Sequence, residues 1–168
     1  MKFELRNLAV NEALSEDSVC YSAEVWIDGV QAFLASNHGQ GAGDDFRQVG
    51  PYSIAEVDAW LDANRPPVRA YGVTLQPNLE LEIGDLMQLA EQAELLKRSL
   101  QTNIVTIEHE AVYTYPLHGR DPRHIAAAIK RRKPDATIID PADKAVFDHA
   151  VRLLVATTRS AEDDTAAA

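Results

Sequence analysis

Asp28-Gly29 stands between two runs of β-forming residues, and no other feature restricts the fold of this chain as much. Ahead of it, Val19, Tyr21, Ala23, Val25 and Ile27 alternate with Cys20, Ser22, Glu24 and Trp26, the period of a strand with one buried face. Behind it, Val30 to Asn37 reads as the returning strand. Asp-Gly favours a type I′ turn, which needs positive φ at both central residues and has the twist of a right-handed hairpin. An antiparallel hairpin over 19–37 therefore anchors the fold.

Other elements follow from local chemistry. Phe3 and Leu5 alternate with Lys2, Glu4 and Arg6 as an opening strand, which Ser15-Glu16-Asp17-Ser18 ends with turn-forming side chains. His38 to Pro51 reads as a glycine-rich loop. Ser53-Ile54-Ala55-Glu56 is a capping box opening a helix through Val57, Trp60 and Leu61, which ends near Asn64 ahead of Pro66-Pro67. Residues 65–80 read as extended, with a short strand at 71–75. Gly84-Asp85 opens the longest helical pattern, where Leu86, Leu89, Ala93, Leu96 and Leu100 share one stripe. That stripe covers little more than two heptads, which favours core packing over a coiled coil.

Ile104 to Tyr115 alternates as a single strand, with Val105, Ile107, His109, Ala111, Tyr113 and Tyr115 on one face. Asp121-Pro122 joins an N-cap to a proline at the first helical position, and Pro134 stops the helix that follows. Thr137-Ile138-Ile139 is a short strand, and Asp140-Pro141 starts a last helix through Val146, Phe147, Val151 and Leu154. Residues 159–168 read as a disordered acidic tail.

These elements predict one α+β domain over residues 1–158, with helices packed on one face of an antiparallel sheet of four to five strands. The sheet is expected to include both the 19–37 hairpin and the 104–115 strand. A chain of 168 residues buries roughly 70% of its unfolded surface and needs no cofactor, metal or disulfide to fold. Its single cysteine, Cys20, excludes an internal disulfide framework and is read as a small packed side chain. No apolar run approaches the ~20 residues that span a bilayer, and Met1-Lys2-Phe3-Glu4 opens a strand rather than a signal peptide, so no membrane association and a cytoplasmic location are expected.

Sixteen basic against twenty-six acidic residues give a net charge of -10. Residues 1–64 hold three and eleven, a net of -8, whereas residues 102–135 hold six and four, a net of +2. Duplex binding needs a basic field, so direct nucleic-acid binding is not expected of the N-terminal half. An acidic field suits solubility, cation attraction or docking onto a basic protein surface.

No motif discloses a reaction. Gly39-Gln40-Gly41-Ala42-Gly43 resembles an anion nest, but Asp44-Asp45 stand where a phosphate loop has Lys and Ser/Thr. His38, Asp44 and Asp45 offer a metal-ligating alternative. Glu108 and Glu110 would share the polar face of the predicted strand, solvated and with ordinary pKa values, while His109 faces the core; Tyr113 occupies the place of a second zinc-binding histidine. His118, Arg120, Asp121, Arg123 and His124 gather at a helix start, where an anion would compete with the Asp121 cap. Lys130-Arg131-Arg132-Lys133 complements a helix C-terminus, and no aromatic residue is interleaved with it.

Ser15-Glu16-Asp17-Ser18-Val19-Cys20-Tyr21-Ser22-Ala23, running into Val25-Trp26-Ile27-Asp28-Gly29, resembles a family of small uncharacterised proteins encoded by phages, prophages and plasmids. The family pattern is S-E-E-T-x-C-[FY]-[ST]-A, a hydrophobic strand, D-G, then a glycine-rich stretch. Weaker likeness touches Asp85-Leu86, Leu96-Lys97-Arg98, Pro122-Arg123-His124-Ile125, Lys133-Pro134-Asp135-Ala136 and Asp143-Lys144-Ala145. The chain departs at His38, where the pattern is acidic. The resemblance implies a mobile element in a bacterial cytosol and supplies no catalytic residues. Joined to the acidic N-terminal half, it leads to the expectation of a non-enzymatic protein that modulates a host protein, such as a defence complex with a basic nucleic-acid-binding groove. Asp17, Glu24, Asp28, Asp44, Asp45, Glu56 and Asp58 would supply the carboxylates. Two alternatives remain: a small metal- or nucleotide-binding protein or enzyme using His38, Gly39, Gly41, Gly43, Asp44 and Asp45, and an oligomeric accessory protein using the 86–100 stripe.

Overall fold

The computed structural model describes residues 1–70 and 73–166, without the side chains of 69–70 and 160–166. The fold is α+β: among the described residues it comprises a four-stranded and a three-stranded antiparallel sheet, a two-stranded ribbon and four α-helices, in two compact units, Met1–Met87 and Gln88–Ala168. Among the described residues no helix is long and apolar enough to cross a membrane.

In the first unit, β1 (Phe3–Val10), β2 (Tyr21–Ile27), β3 (Val30–Asn37) and β4 (Asp45–Gln48) form an antiparallel meander in sequence order. The β2–β3 turn has φ 50° at Asp28 and 81° at Gly29, the type I′ geometry that Asp-Gly predicts. Tyr21, Ala23, Val25 and Ile27 are buried on one face, as their alternation requires. Strand β3 is less regular. Val25 pairs with Phe33 but Trp26 pairs with Gln31, so Ala32 is an inserted residue. The bulge turns Ala32 and Phe33 inward together, and both are fully buried.

Helix α1 (Ile54–Asn64) begins at the expected capping box, with both reciprocal bonds between Ser53 and Glu56 present. It lays Val57 and Leu61 on the sheet, beside Leu79 and Ile83 from the start of α2 (Leu79–Leu100). Fully burying side chains of this size stabilises by about 1.5–3 kcal/mol each before chain entropy is charged against it.

Two boundaries here differ from the sequence expectation. Strand β4 lies inside the supposed 38–51 loop because Phe46 pairs with Ala35 and meets Phe33 edge-on, 6.4 Å between centroids. Helix α2 starts at Leu79 rather than Gly84. Asn78 Oδ1 accepts the Leu81 N–H at 2.9 Å, and Asp58 Oδ1 accepts that of Leu79 at 2.7 Å, so two side chains cap it one and a half turns earlier. Between the helices, β5 (Val68–Ala70) and β6 (Val73–Leu75) pair as a ribbon, and the predicted strand at 71–75 falls partly on residues 71–72, outside the described ones.

In the second unit, β7 (Asn103–Glu108) is central, between β8 (Ala111–Pro116) and β9 (Thr137–Ile138). Helix α3 (Pro122–Arg132) is capped by Asp121, whose carboxylate accepts the Arg123 N–H at 2.9 Å. Helix α4 spans Lys144–Ala166. Val105 and Ile107 face a core of Leu96, Ile139, Phe147, Ala150 and Val151, with Leu89, Ala93 and Leu100 of α2 against it. The 86–100 stripe is therefore used within the protein.

The single strand expected over 104–115 is instead a hairpin. His109 and Glu110 form its two-residue turn, both with positive φ (49° and 59°), and it belongs to the second sheet rather than to that of the 19–37 hairpin. The last helix starts at Lys144 because Asp143, not Asp140, caps it by accepting the Val146 N–H; the Asp140 side chain accepts from Ala142 in the preceding turn. The expected acidic tail lies, from residue 160, outside the residues whose side chains are described.

Candidate functional site

At one end of the first sheet, the glycine loop and the 15–18 turn are interlocked. The Gly39 carbonyl accepts the N–H groups of Glu16, Asp17 and Ser18 at 3.0, 3.0 and 3.4 Å. Asn37, 7% exposed, uses its whole amide: Oδ1 accepts from Ser18 Oγ and Gly39 N, and Nδ2 donates to the Ala42 carbonyl and Asp44 Oδ1. Gly41 N–H donates to Ser18 Oγ at 3.1 Å. The amides of Gly39 and Gly41 are thus satisfied internally and do not converge on open space, unlike the donors of an anion nest. Gly39 has φ +83°, and a Cβ there would lie 2.0 Å from the Leu14 carbonyl oxygen, so only glycine fits.

The Tyr21 hydroxyl donates to the second Asp44 oxygen. Burial first, and then this bond to a carboxylate, push the Tyr21 hydroxyl above its ordinary value of 10. Asp45 pairs with Ser36 on the opposite sheet face, and His38 is exposed. His38, Asp44 and Asp45 therefore do not assemble, and among the described residues no three His, Cys, Asp or Glu side chains are placed to hold a metal.

The other predicted carboxylates are dispersed over the first unit. Asp17 is exposed beside the glycine loop. Asp28 sits in the turn at the far end of β2, seven residues or ~23 Å along the strand from Tyr21, where it accepts the Lys2 N–H. Glu24 lies on the outer sheet face, bonded to Trp26 and Asn7, which hold its carboxyl below the usual range. Glu56 is held low by its Ser53 partner, and Asp58 caps α2. Cys20 is half-buried just before β2.

The second unit contains a cluster absent from the sequence expectations. Glu108, a solvated carboxylate by strand alternation, is 6% exposed, while His109, core-facing by the same alternation, is exposed in the turn. A two-residue turn reverses the parity of alternation, so Thr106 pairs with Tyr113 and Glu108 joins the face of Tyr113 and Tyr115. Glu110 is parted from Glu108 by the turn and lies 3.5 Å from His149 Nε2. Glu108 Oε1 accepts from Thr106 Oγ1 at 2.7 Å and Tyr115 Oη at 2.6 Å, and Oε2 accepts from Lys133 Nζ at 2.5 Å. Burial alone would raise this carboxyl; the Lys133 ammonium and the two hydroxyls outweigh it and hold Glu108 at about 2. The same carboxylate, followed by Tyr115, raises Lys133.

Lys133 also lies 5.2 Å from the ring centroid of Tyr113 and 5.6 Å from that of Tyr115. Lys133, the last of the 130–133 quartet, therefore meets aromatic rings in space, although none is interleaved with the quartet in sequence. No local pattern links Lys133 to residues 18 and 25 positions earlier; only the hairpin does so.

Comparison of the chain with protein-family models, with curated proteins and with solved structures finds no match.

Proposed function

We propose that the protein is a binding protein whose N-terminal unit docks onto a basic protein surface, and that its natural partner is a host protein met by a mobile genetic element. The supporting observation is the separation of charge between the units. Met1–Met87 carries fourteen acidic and five basic side chains, a net of -9, whereas Gln88–Ala168 carries twelve and eleven, a net of -1. Donors bonded to Glu4, Glu24 and Glu56 keep these carboxylates charged. Because the acids are spread over the unit, their attraction is a broad field that accelerates encounter, not a single focused patch.

The test is tagged capture from bacterial lysate at low salt, by the wild type and by the outer-face variant Glu24→Lys with Asp45→Lys, followed by titration with the purified captured protein. Support consists of a basic partner whose association rate falls steeply with ionic strength and falls again in the variant. A partner bound equally by both proteins and at all salt concentrations overturns the reading.

A further inference from the structure

The second unit has an open groove of about 790 Å³ between β8 and α3, lined by Tyr115, His118, Arg120, Ile125, Arg131 and Arg132 among others. Residues 115–133 include six cations and one acid, a local net of +5 within a chain of net -10. Among the described residues Arg120, Arg123, Lys130, Arg131 and Arg132 form no ion pair, and all five are exposed. At physiological salt the Debye length is about 8 Å, so the local sign governs what approaches the groove.

We infer that this groove binds the phosphodiester backbone of single-stranded nucleic acid, with Tyr113 as a stacking surface. Guanidinium groups suit phosphate through paired N–H donors, and three arginines, Arg120, Arg131 and Arg132, line the site beside Lys133. Tyr113, 46% exposed, and Tyr115 stand two residues apart on one strand face, ~7 Å from each other. Unpaired bases expose the ring faces that an aromatic side chain can meet, which a duplex hides and an acidic peptide lacks. Glu108 and Tyr115 hold Lys133 in place in the groove lining with one ammonium proton left to donate. The inference concerns the opposite charge and the other unit from the protein-docking proposal, so either can fail alone.

Fluorescence anisotropy with labelled oligo(dT) and oligo(rU) of twenty nucleotides tests it on the full chain. Four to five phosphate contacts predict a roughly 50- to 130-fold loss of affinity between 50 and 200 mM salt. Arg131→Glu with Arg132→Glu, at exposed positions, should abolish binding and, by opposing the α3 dipole, lower the thermal melt only modestly, and Tyr113→Ala should weaken binding about ten-fold. Three outcomes overturn the inference. These are no binding of either oligonucleotide at 50 mM salt, equal binding by the variants, or polyglutamate or a second copy of the chain occupying the groove more tightly than the oligonucleotides.

Discussion

Lys133 Nζ donates to Glu108 Oε2 at 2.5 Å, and the lysine is half exposed while the carboxylate it meets is buried. Such a pair is asymmetric: loss of the lysine strands a charge away from water, whereas neutralising the acid leaves an ammonium that can still be hydrated.

Lys133→Met is therefore expected to lower the melting temperature at pH 7 more than Glu108→Gln does, as read by circular dichroism. Equal melting temperatures would contradict the asymmetry.

Acid stability should carry the signature of Glu108. Its carboxyl is held at about 2 in the folded protein against an ordinary 4.5, so its contribution is complete above about pH 4.5 and fades as pH falls toward 2. Glu108→Gln should flatten the rise in stability across that window. Superimposable pH profiles for wild type and variant would refute the assignment.

Asn37→Ala removes four hydrogen bonds from a buried site and leaves the Gly39 N–H and Ala42 carbonyl without their protein partner. A loss of about 3 kcal/mol is expected in urea unfolding. A loss below about 1 kcal/mol would mean that water substitutes freely for the amide.

Two glycines should respond in opposite directions. Gly39→Ala forces a Cβ into the Leu14 carbonyl at positive φ and should cost about 3 kcal/mol or more. Gly84 is exposed inside α2 with open space around it, so Gly84→Ala should stabilise by about 0.5–1 kcal/mol. Denaturant midpoints measured side by side decide both.

Ser53→Ala deletes the cap of α1 and should cost about 1 kcal/mol, with helix content otherwise retained.

The sequence disclosed elements wherever a residue type has one dominant structural use. Asp28-Gly29 marked its turn, Ser53 and Glu56 marked their cap, and Asp121-Pro122 marked a helix start. His109-Glu110 is opaque because it lacks the glycine or asparagine that signals a two-residue turn and Glu rarely adopts positive φ, so the alternating run reads as continuous across a hairpin. That one turn separates the expected core histidine and solvated carboxylate from the observed exposed histidine and buried ion pair. Strand β4 is hidden in the sequence because four residues beside glycines show little periodicity, and Gly84 reads as a helix start although Asn78 and Asp58 supply the caps.

The three amides gathered on the Gly39 carbonyl tie two chain connections to one atom, so neither connection can be lengthened or cut without disturbing the other. A fluorophore, affinity peptide or split-reporter junction grafted there would disrupt both. The two-residue tips at 28–29 and 109–110 are exposed, and the first belongs to the unit that does not carry the cationic groove. It is the natural attachment point for a probe meant to report on ligand capture by the second unit without perturbing it.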